Sequence, residues 1–273
     1  MTTYNTAVTL LLALAAHCAH AQTDTIAPPK VITNALMAGV GATGILDTYL
    51  SQEKFGGTSL HFISHTTRER AGGPWSRTIV HHGYMAWADN RAGDGGEIAG
   101  AYRLSYAVRR NWTFTLGSGT LGLRAGAQLD ATAGFIYNTR GSNNPAQARL
   151  SLHLSPSVSL TYSTHIRRLP VAFCYEASAP LAGVMFSPNY GQSYYEIFSR
   201  GNYDRNIVPT TFISTPSLRH TLTIDLPLGG TTVRLGYLGD MEQARVNHLK
   251  QHIYTHAVLI GIVRRFKLTK IRP

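Results

Sequence analysis

Residues 150–163 read LSLHLSPSVSLTYS, an alternation of apolar and polar side chains with a period of two. Successive side chains of a β-strand point to opposite faces, so this segment predicts a strand with one apolar and one polar face. The same alternation recurs near residues 97–109, 171–176, 217–226 and 232–241. The chain is therefore predicted to be almost entirely β.

The connections between these segments alternate between short and long. Tight turn signals lie at 71–74, 109–112, 167–170 and 227–230, and longer polar connections lie near 47–57, 89–96, 139–147, 183–214 and 243–252. This alternation is typical of outer-membrane barrels, which have short periplasmic turns and longer external loops. We therefore predict an all-β fold, an antiparallel up-and-down transmembrane β-barrel.

The predicted barrel has about 10 strands, an even number as such barrels require. They cover residues 36–46, 58–70, 75–88, 97–109, 113–138, 148–166, 171–182, 215–226, 231–242 and 253–266. In the fifth segment the apolar phase changes between Leu116 and Leu121, which predicts a bulge at Gly117-Ser118-Gly119. If residues 193–198 pair with 210–214, the loop 183–214 adds a hairpin and the count becomes 12.

The composition restricts the class of protein. The chain has 273 residues, with 25 Lys and Arg against 14 Asp and Glu, and a formal net charge of +11. Charged residues amount to only 14%, which excludes a densely charged, disordered chain. A basic surplus suggests either nucleic acid or an anionic membrane surface as partner. Nucleic-acid binding is not predicted, because the aromatic residues lie on the predicted membrane face or in loops and not along a basic stripe.

The first residues predict export. An apolar run covers residues 6–16, and Ala19-His20-Ala21 supplies a cleavage site, so residues 1–21 are predicted to be a signal peptide cleaved near Ala21. One cysteine, Cys174, then remains, and it is expected to be an inert lumen thiol without a disulfide partner. The predicted mature chain comprises a periplasmic N-terminal segment (22–34), the barrel (35–266) and a basic tail (267–273).

The polar strand faces are predicted to line the lumen and to carry charges of both signs. The predicted inward-facing charge network comprises Arg103, Arg124, Asp130, Arg149, Glu176, Arg219, Asp225 and Arg234. Isolated buried charges are costly, so these residues are expected to form hydrogen-bonded pairs that fill the interior. The alternative is a narrow channel that prefers anions, since wide porins need about 16 strands.

His153 and Ser155 are spaced like the His-x-Ser pair of barrel-borne lipid acyl hydrolases, in which the histidine acts as base for the serine. Leu150, Leu152 and Leu154 mark the lipid face of the same strand, so both polar residues are predicted to point into the lumen. We therefore interpret them as hydrogen-bonding lumen residues. An outer-membrane lipid acyl hydrolase stays open as a second alternative function.

No metal site and no cofactor are predicted. His61 and His65 share a strand face but stand about 13 Å apart at the rise of a strand. His248, His252 and His256 have helical spacing, yet their segment is predicted to run from a loop into a strand. No cysteine or carboxylate accompanies these histidines in a compact pattern.

The long loop is the most unusual segment. Residues 185–198 read MFSPNYGQSYYEIF, which is aromatic-rich for an external loop, and long loops are commonly functional. The candidate ligand-binding residues in it are Tyr190, Tyr194, Tyr195 and Glu196. Two interpretations stay open. The loop either folds into the barrel mouth as a lid or ligand platform, or packs against neighbouring loops and closes the top.

Three stretches carry a family resemblance. GFIYN at 134–138, SNNPAQ at 142–147 and GVMFSPNYGQSYYEIF at 183–198 resemble an uncharacterised family of Bacteroidota outer-membrane barrel proteins, over about residues 45 to 266. The resemblance implies a barrel fold and a place in the outer membrane of a Gram-negative bacterium, among its lipids and lipopolysaccharide. It implies no activity, so it supplies no catalytic residues.

In the predicted topology the basic surplus gathers at the periplasmic end. The pairs Arg109-Arg110, Arg167-Arg168 and Arg264-Arg265 all fall at predicted periplasmic strand ends. This basic rim is expected to contact lipid phosphates or an acidic periplasmic partner. The predicted protein is a small outer-membrane barrel with a filled lumen and a structural, interaction or ligand-binding role.

Overall fold

The computed structural model describes residues 28–141 and 144–268. This part of the chain forms twelve antiparallel strands and one short helix. The strands are β1 (Lys30–Asp47), β2 (Phe55–Arg70), β3 (Trp75–Asn90), β4 (Gly96–Leu116), β5 (Gly119–Asn138), β6 (Ala146–Ile166), β7 (Leu169–Ser178), β8 (Ala182–Phe186), β9 (Ile207–Thr211), β10 (Leu218–Leu228), β11 (Thr231–Val246) and β12 (Leu249–Leu268). The helix, α1, covers Tyr194–Phe198. The predicted signal peptide (1–21) and residues 269–273 of the predicted tail lie outside the described residues. In the described part of the chain no helix is long and apolar enough to span a membrane.

The strands close into a barrel because each strand of the wall pairs with two neighbours. β1 pairs with β2 and β12, and β7 pairs with β6 and β10. The ring order is therefore β1-β2-β3-β4-β5-β6-β7-β10-β11-β12, a wall of ten strands as predicted. The remaining strands β8 and β9 form a hairpin that continues the wall beyond β7, with β8 paired to residues 151–154 of β6.

This hairpin confirms the predicted count of 12, but its strands differ from the predicted ones. Ala182–Phe186 pairs with Ile207–Thr211, whereas the predicted strand 193–198 contains helix α1. The helix begins here because Ser193 and Glu196 form a capping box, in which each side chain accepts a hydrogen bond from the other residue's backbone N–H. Local capping therefore forms a helix in the segment that the conditional pairing assigned to a strand.

The two faces of the wall differ as the alternation predicts. On β6, Leu152 and Leu154 point outward and are 44% and 48% exposed, whereas Ser155 and Ser157 point inward and are buried. An apolar outer face around a polar interior is the arrangement of a membrane-spanning barrel. The interior also contains two apolar clusters, one around Ile45 near the long loops and one around Leu259 on the inner face of β1, β2, β11 and β12.

The predicted turn at 109–112 and the predicted bulged strand 113–138 are wrong. β4 continues to Leu116, and Gly117 and Ser118 form a two-residue turn to β5, in which Gly117 has a φ of +57° that favours glycine. Cross-strand partners in this hairpin, such as Phe114 and Leu121, have numbers of opposite parity. A two-residue turn therefore shifts the apolar residues from even to odd positions, just as a bulge does. The sequence pattern alone could not distinguish the turn from a bulge.

Connections at the two ends of the barrel differ in length. We call one end the short-turn end, because its strands are joined at 71–74, 117–118, 167–168 and 229–230. The opposite end, the loop end, carries the segment 187–206. The predicted long connection 243–252 is instead a two-residue turn, Asn247-His248, because both residues adopt the left-handed conformation. The barrel extends from Lys30 to Leu268 within the described residues, slightly beyond the predicted limits of 35 and 266, so residues 30–34 of the predicted N-terminal segment belong to β1.

Candidate functional site in the lumen and its cap

The first group of lumen charges lies nearer the loop end, and we call it the upper charge cluster. It comprises Arg103, Arg149, Arg219, Asp240 and Glu242. Asp240 Oδ2 accepts from Arg103 Nη1 at 2.9 Å and from Arg219 Nη1 at 3.1 Å. Glu242 accepts from Arg103 and from Arg149. Arg219 and Asp240 face each other across the β10–β11 ladder, so the register itself brings this pair together. The cluster joins side chains from β4, β6, β10 and β11 at one level of the lumen.

The second group, which we call the lower charge cluster, is centred on Glu176. Its carboxylate accepts from His65 Nε2 at 3.0 Å and from Arg109 Nη1 at 3.3 Å. Arg109 also donates to Ser157 Oγ at 2.7 Å, so its guanidinium is held on two sides. The same level holds two further ion pairs, Arg234 with Asp225 at 2.6 Å and Arg124 with Glu69 at 3.1 Å.

All eight residues of the predicted charge network face the lumen in the structure. Asp130 is the one among them that forms no ion pair, and its carboxylate accepts from Ser105, Gln128 and Ser155. The sequence prediction missed Glu69, Arg109, Asp240 and Glu242 as partners. Arg109 was assigned to a turn at the barrel end, which is wrong, because β4 continues past it and turns its side chain inward. Arg109 has an odd residue number, as do the inward-facing Arg103 and Ser105 of the same strand. That parity was the sequence signal that could have placed it in the lumen.

Three of the hydrogen-bonded lumen pairs cross the full width of the barrel, since Arg103 bonds both Asp240 and Glu242 on β11. Strands β4 and β11 lie five positions apart in either direction around the ring, and so do β2 and β7. Arg103 on β4 bonds Asp240 on β11, and His65 on β2 bonds Glu176 on β7. The lumen is therefore bridged at two levels. A cavity of about 80 Å³ lies beside the upper cluster and one of about 160 Å³ beside the lower cluster.

The candidate catalytic residues His153 and Ser155 both point into the lumen but bond to different partners. His153 Nε2 lies 3.1 Å from Thr210 Oγ1, and Ser155 Oγ donates to Asp130 Oδ2 at 2.8 Å. A nucleophilic serine needs a hydrogen bond from its hydroxyl to a base that can accept the proton. The hydroxyl of Ser155 bonds instead to the Asp130 carboxylate, which also accepts from Ser105 and Gln128. The geometry is that of structural hydrogen bonds.

Cys174 also faces the lumen, where its sulfur accepts from Thr161 Oγ1 at 3.5 Å. Among the histidines, His61 and His82 are in contact, with 3.0 Å between a nitrogen of each ring. Among the described residues no group of three His, Cys, Asp or Glu side chains is arranged to hold a metal ion.

The loop segment 187–206, which we call the cap, lies across the loop end and contacts three separate parts of the barrel. Tyr194 donates to Gln147 Oε1 at 2.9 Å on β6, and Tyr49 donates to the carbonyl of Gln192 at 3.0 Å. Asn247, in the β11–β12 turn, donates to the carbonyls of Ser187 and Arg205 at 3.1 and 2.9 Å. Burial raises the pKa of Tyr194 to about 12, as expected for a hydroxyl held within the cap contact.

The four candidate ligand-binding residues of the loop divide into two pairs. Tyr194 and Glu196 are used within the protein, the first in the contact with β6 and the second in the capping box. Hydrogen bonds from the backbone N–H and hydroxyl of Ser193 lower the pKa of Glu196. Tyr190 and Tyr195 point outward and are 69% and 62% exposed, and the Arg200 guanidinium lies 5.5 Å from the centre of the Tyr195 ring.

These features define a class of protein. A closed antiparallel barrel with an apolar outer face, a bridged charged lumen and a capped mouth is a β-barrel of the outer-membrane type. The chain belongs to the family described as "Protein of unknown function (DUF3316)", whose model matches residues 7–273. No curated protein sequence matches the chain.

Several solved outer-membrane barrels match this chain in a structural comparison. The transport unit of the autotransporter AIDA-I from Escherichia coli has a TM-score of 0.48 at 7% identity, covering 91% of this chain and 92% of that chain. The outer membrane protease OmpT from Escherichia coli has a TM-score of 0.44 at 8% identity, covering 87% and 97%. The translocator domain of autotransporter NalP from Neisseria meningitidis has a TM-score of 0.39 at 11% identity, covering 96% of both chains.

Proposed function

We propose that the protein is a closed-lumen barrel in the outer membrane of a Gram-negative bacterium, one of the Bacteroidota as the sequence resemblance implies. Residues 1–21 direct its export and are removed. The barrel does not conduct, and it serves a binding or interaction role through its cap at the loop end. Outer-membrane lipids surround the wall, and lipopolysaccharide surrounds the loop end.

The observation that carries this proposal is the pair of bridges across the lumen. Arg103 with Asp240 and His65 with Glu176 join strands on opposite sides of the barrel, at two levels. The Arg103–Asp240 ion pair is costly to break inside the protein, because each partner would be left as an uncompensated charge, and the His65–Glu176 hydrogen bond crosses the second level. A solute passing along the axis would have to break both bridges, which supports a non-conducting lumen.

Planar-bilayer recording of the purified protein tests the closed lumen. We expect no stable conductance in concentrated KCl. A large stable conductance of the unaltered protein would contradict the proposal and would favour the narrow anion-preferring channel. An acyl hydrolase has less support, because His153 and Ser155 hydrogen-bond to Thr210 and Asp130 and not to each other.

The binding role rests on the exposed aromatic residues of the cap. Tyr190, Tyr195 and Tyr203 are all more than 60% exposed on this segment, and exposed aromatic surface commonly marks a binding site. A photoreactive side chain at Tyr195 in native outer membranes should give one discrete adduct, and the same group at Tyr194 should give none, because Tyr194 is held inside the cap. Absence of an adduct at both Tyr190 and Tyr195 would count against a binding role of the cap.

A further inference from the structure

A groove of about 740 Å³ lies on the outer wall at the short-turn end, away from the lumen and from the cap. We call it the basic groove. Four cationic side chains line it, together with two aromatic residues at its margin. They are Lys30, Arg68, Arg70 and Arg77, with Trp75 and Tyr106. The groove crosses the first strands of the wall, β1 to β4.

These cations belong to the outward face of the wall. On β2, Thr67 points inward and is buried, whereas its neighbour Arg68 is exposed, and on β3 the inward residues Ser76 and Thr78 enclose exposed Arg77. The outward residues of the same strands include apolar side chains such as Ile79. The groove therefore lies on the outer face of the wall, at the border of its apolar surface, and it reaches the rim at Gly73 and Pro74 of the β2–β3 turn.

The arrangement of the charges is unfavourable without an anion. Arg68 and Arg77 are directly opposed across the β2–β3 ladder, and Lys30 and Arg70 are directly opposed across the β1–β2 ladder. Like charges at such positions repel, because their Cβ atoms are only about 5 Å apart. Glu69 borders the groove, but its carboxylate is bonded to Arg124 on the inner side. Within residues 28–141 and 144–268, no ion pair involves any of the four cations.

We propose that the basic groove binds the phosphate of a phospholipid headgroup, an inference that rests on the membrane location in the proposed function. Arginine side chains form strong charge-assisted hydrogen bonds to phosphate, and paired guanidinium groups suit its several oxygens. Trp75 and Tyr106 supply the aromatic rings that favour the headgroup level of a bilayer. Ile79 lies where the acyl chains would begin.

The outward direction of these side chains favours a lipid over an acidic soluble partner. A periplasmic protein would approach from beneath the rim, whereas Arg68 and Arg77 lie on the outer face of the wall beside apolar Ile79. A headgroup at the membrane surface reaches that face with its acyl chains along the wall. The groove is therefore assigned to a lipid of the adjacent leaflet.

Binding of phosphatidylglycerol to the purified detergent-solubilised protein, measured by native mass spectrometry, tests the proposal. Neutralising both opposed arginines with Arg68→Gln/Arg77→Gln should weaken binding about tenfold or more, since each removes charged hydrogen bonds to the phosphate. The matched control is Arg245→Gln/Lys250→Gln, a second directly opposed and exposed cation pair at the loop end, which removes the same charge and should leave the affinity unchanged. Diacylglycerol, which lacks the phosphate, should bind neither form.

The remaining outcomes also decide the matter. Wild-type affinity in the Arg68→Gln/Arg77→Gln variant, with its fold verified by circular dichroism, would overturn the proposal. Displacement of the lipid by equal inorganic phosphate would mean that the groove is a simple anion site, and tighter binding of a soluble polyglutamate would identify an acidic partner. Either result contradicts a lipid site. The lipid measurement is independent of conductance, so a conducting barrel would refute the closed lumen without affecting this result.

Discussion

Arg103 and Asp240 form a 2.9 Å ion pair across the full width of the barrel, between strands that are farthest apart in the ring. Neighbouring strands are already joined by their backbone ladders, so a side-chain pair between them adds little to the shape of the wall. A pair between opposite strands fixes the diameter. Asp240 also holds Arg219, so one carboxylate joins three strands.

Replacing that carboxylate should destabilise the protein strongly. In Asp240→Ala, two buried guanidinium groups lose an acceptor, and breaking a buried pair in this way costs about 3–5 kcal/mol of the free energy of unfolding. Urea unfolding in detergent micelles measures the change. Asp204→Ala is the control, because the Asp204–Arg205 pair is exposed and its atoms are 4.0 Å apart. Equal stability of the two variants would contradict a role of Asp240 in the barrel.

Removing a bridge as a neutral unit should open the upper level of the lumen. In Arg103→Ala/Glu242→Ala, opposite charges leave together, so the remaining network keeps its balance. Planar-bilayer recording should show more frequent or larger conductance events than for the unaltered protein. The control is Asp225→Ala/Arg234→Ala, which removes a pair between the neighbouring strands β10 and β11 that does not cross the lumen. The same change in both variants would contradict the bridging role.

The amide of Asn247 should hold the cap on the barrel. In Asn247→Gly the backbone keeps its left-handed conformation without strain, while the hydrogen bonds to the carbonyls of Ser187 and Arg205 are lost. We expect faster limited proteolysis within 187–206, with the barrel itself intact. His248→Gly is the matched control, since it places glycine at the next left-handed position and leaves these bonds in place. Cleavage at equal rates in both variants would mean that the amide does not anchor the cap.

Acid should loosen the cap through Glu196. The hydrogen bonds from Ser193 lower the pKa of this carboxyl in the folded protein, so its contribution is present above the unfolded pKa of about 4.3 and is lost as the pH falls through the folded pKa. Pepsin cleavage of the cap should therefore accelerate toward low pH relative to cleavage of Glu196→Gln, whose amide oxygen accepts the same hydrogen bond at any pH. Parallel pH profiles of the two proteins would argue against this explanation.

The sequence predicted which way the strand residues point more reliably than which residues meet. The period-two pattern placed Arg149 and Arg219 in the lumen, because side-chain direction in a strand depends only on local alternation. The partner of Arg149, Glu242, lies on β11, three strands along the ring from β6, and its position depends on barrel closure and register. The turn at Gly117 escaped prediction for a related reason, since a reversal and a bulge leave the same apolar pattern. Once the turn was misplaced, Arg109 was assigned to the periplasmic rim and not to the lumen.

The bridges also bear on how the barrel is assembled. Arg103 and Asp240 are separated by 137 residues in the sequence, and no hairpin brings them together. While the sheet is still open, both side chains are hydrated and do not interact with each other. They meet only when the β1–β12 seam joins the two edges, so the last step of folding dehydrates the charges and locks the shape at once. Closure is therefore expected to be cooperative, with partly closed barrels short-lived.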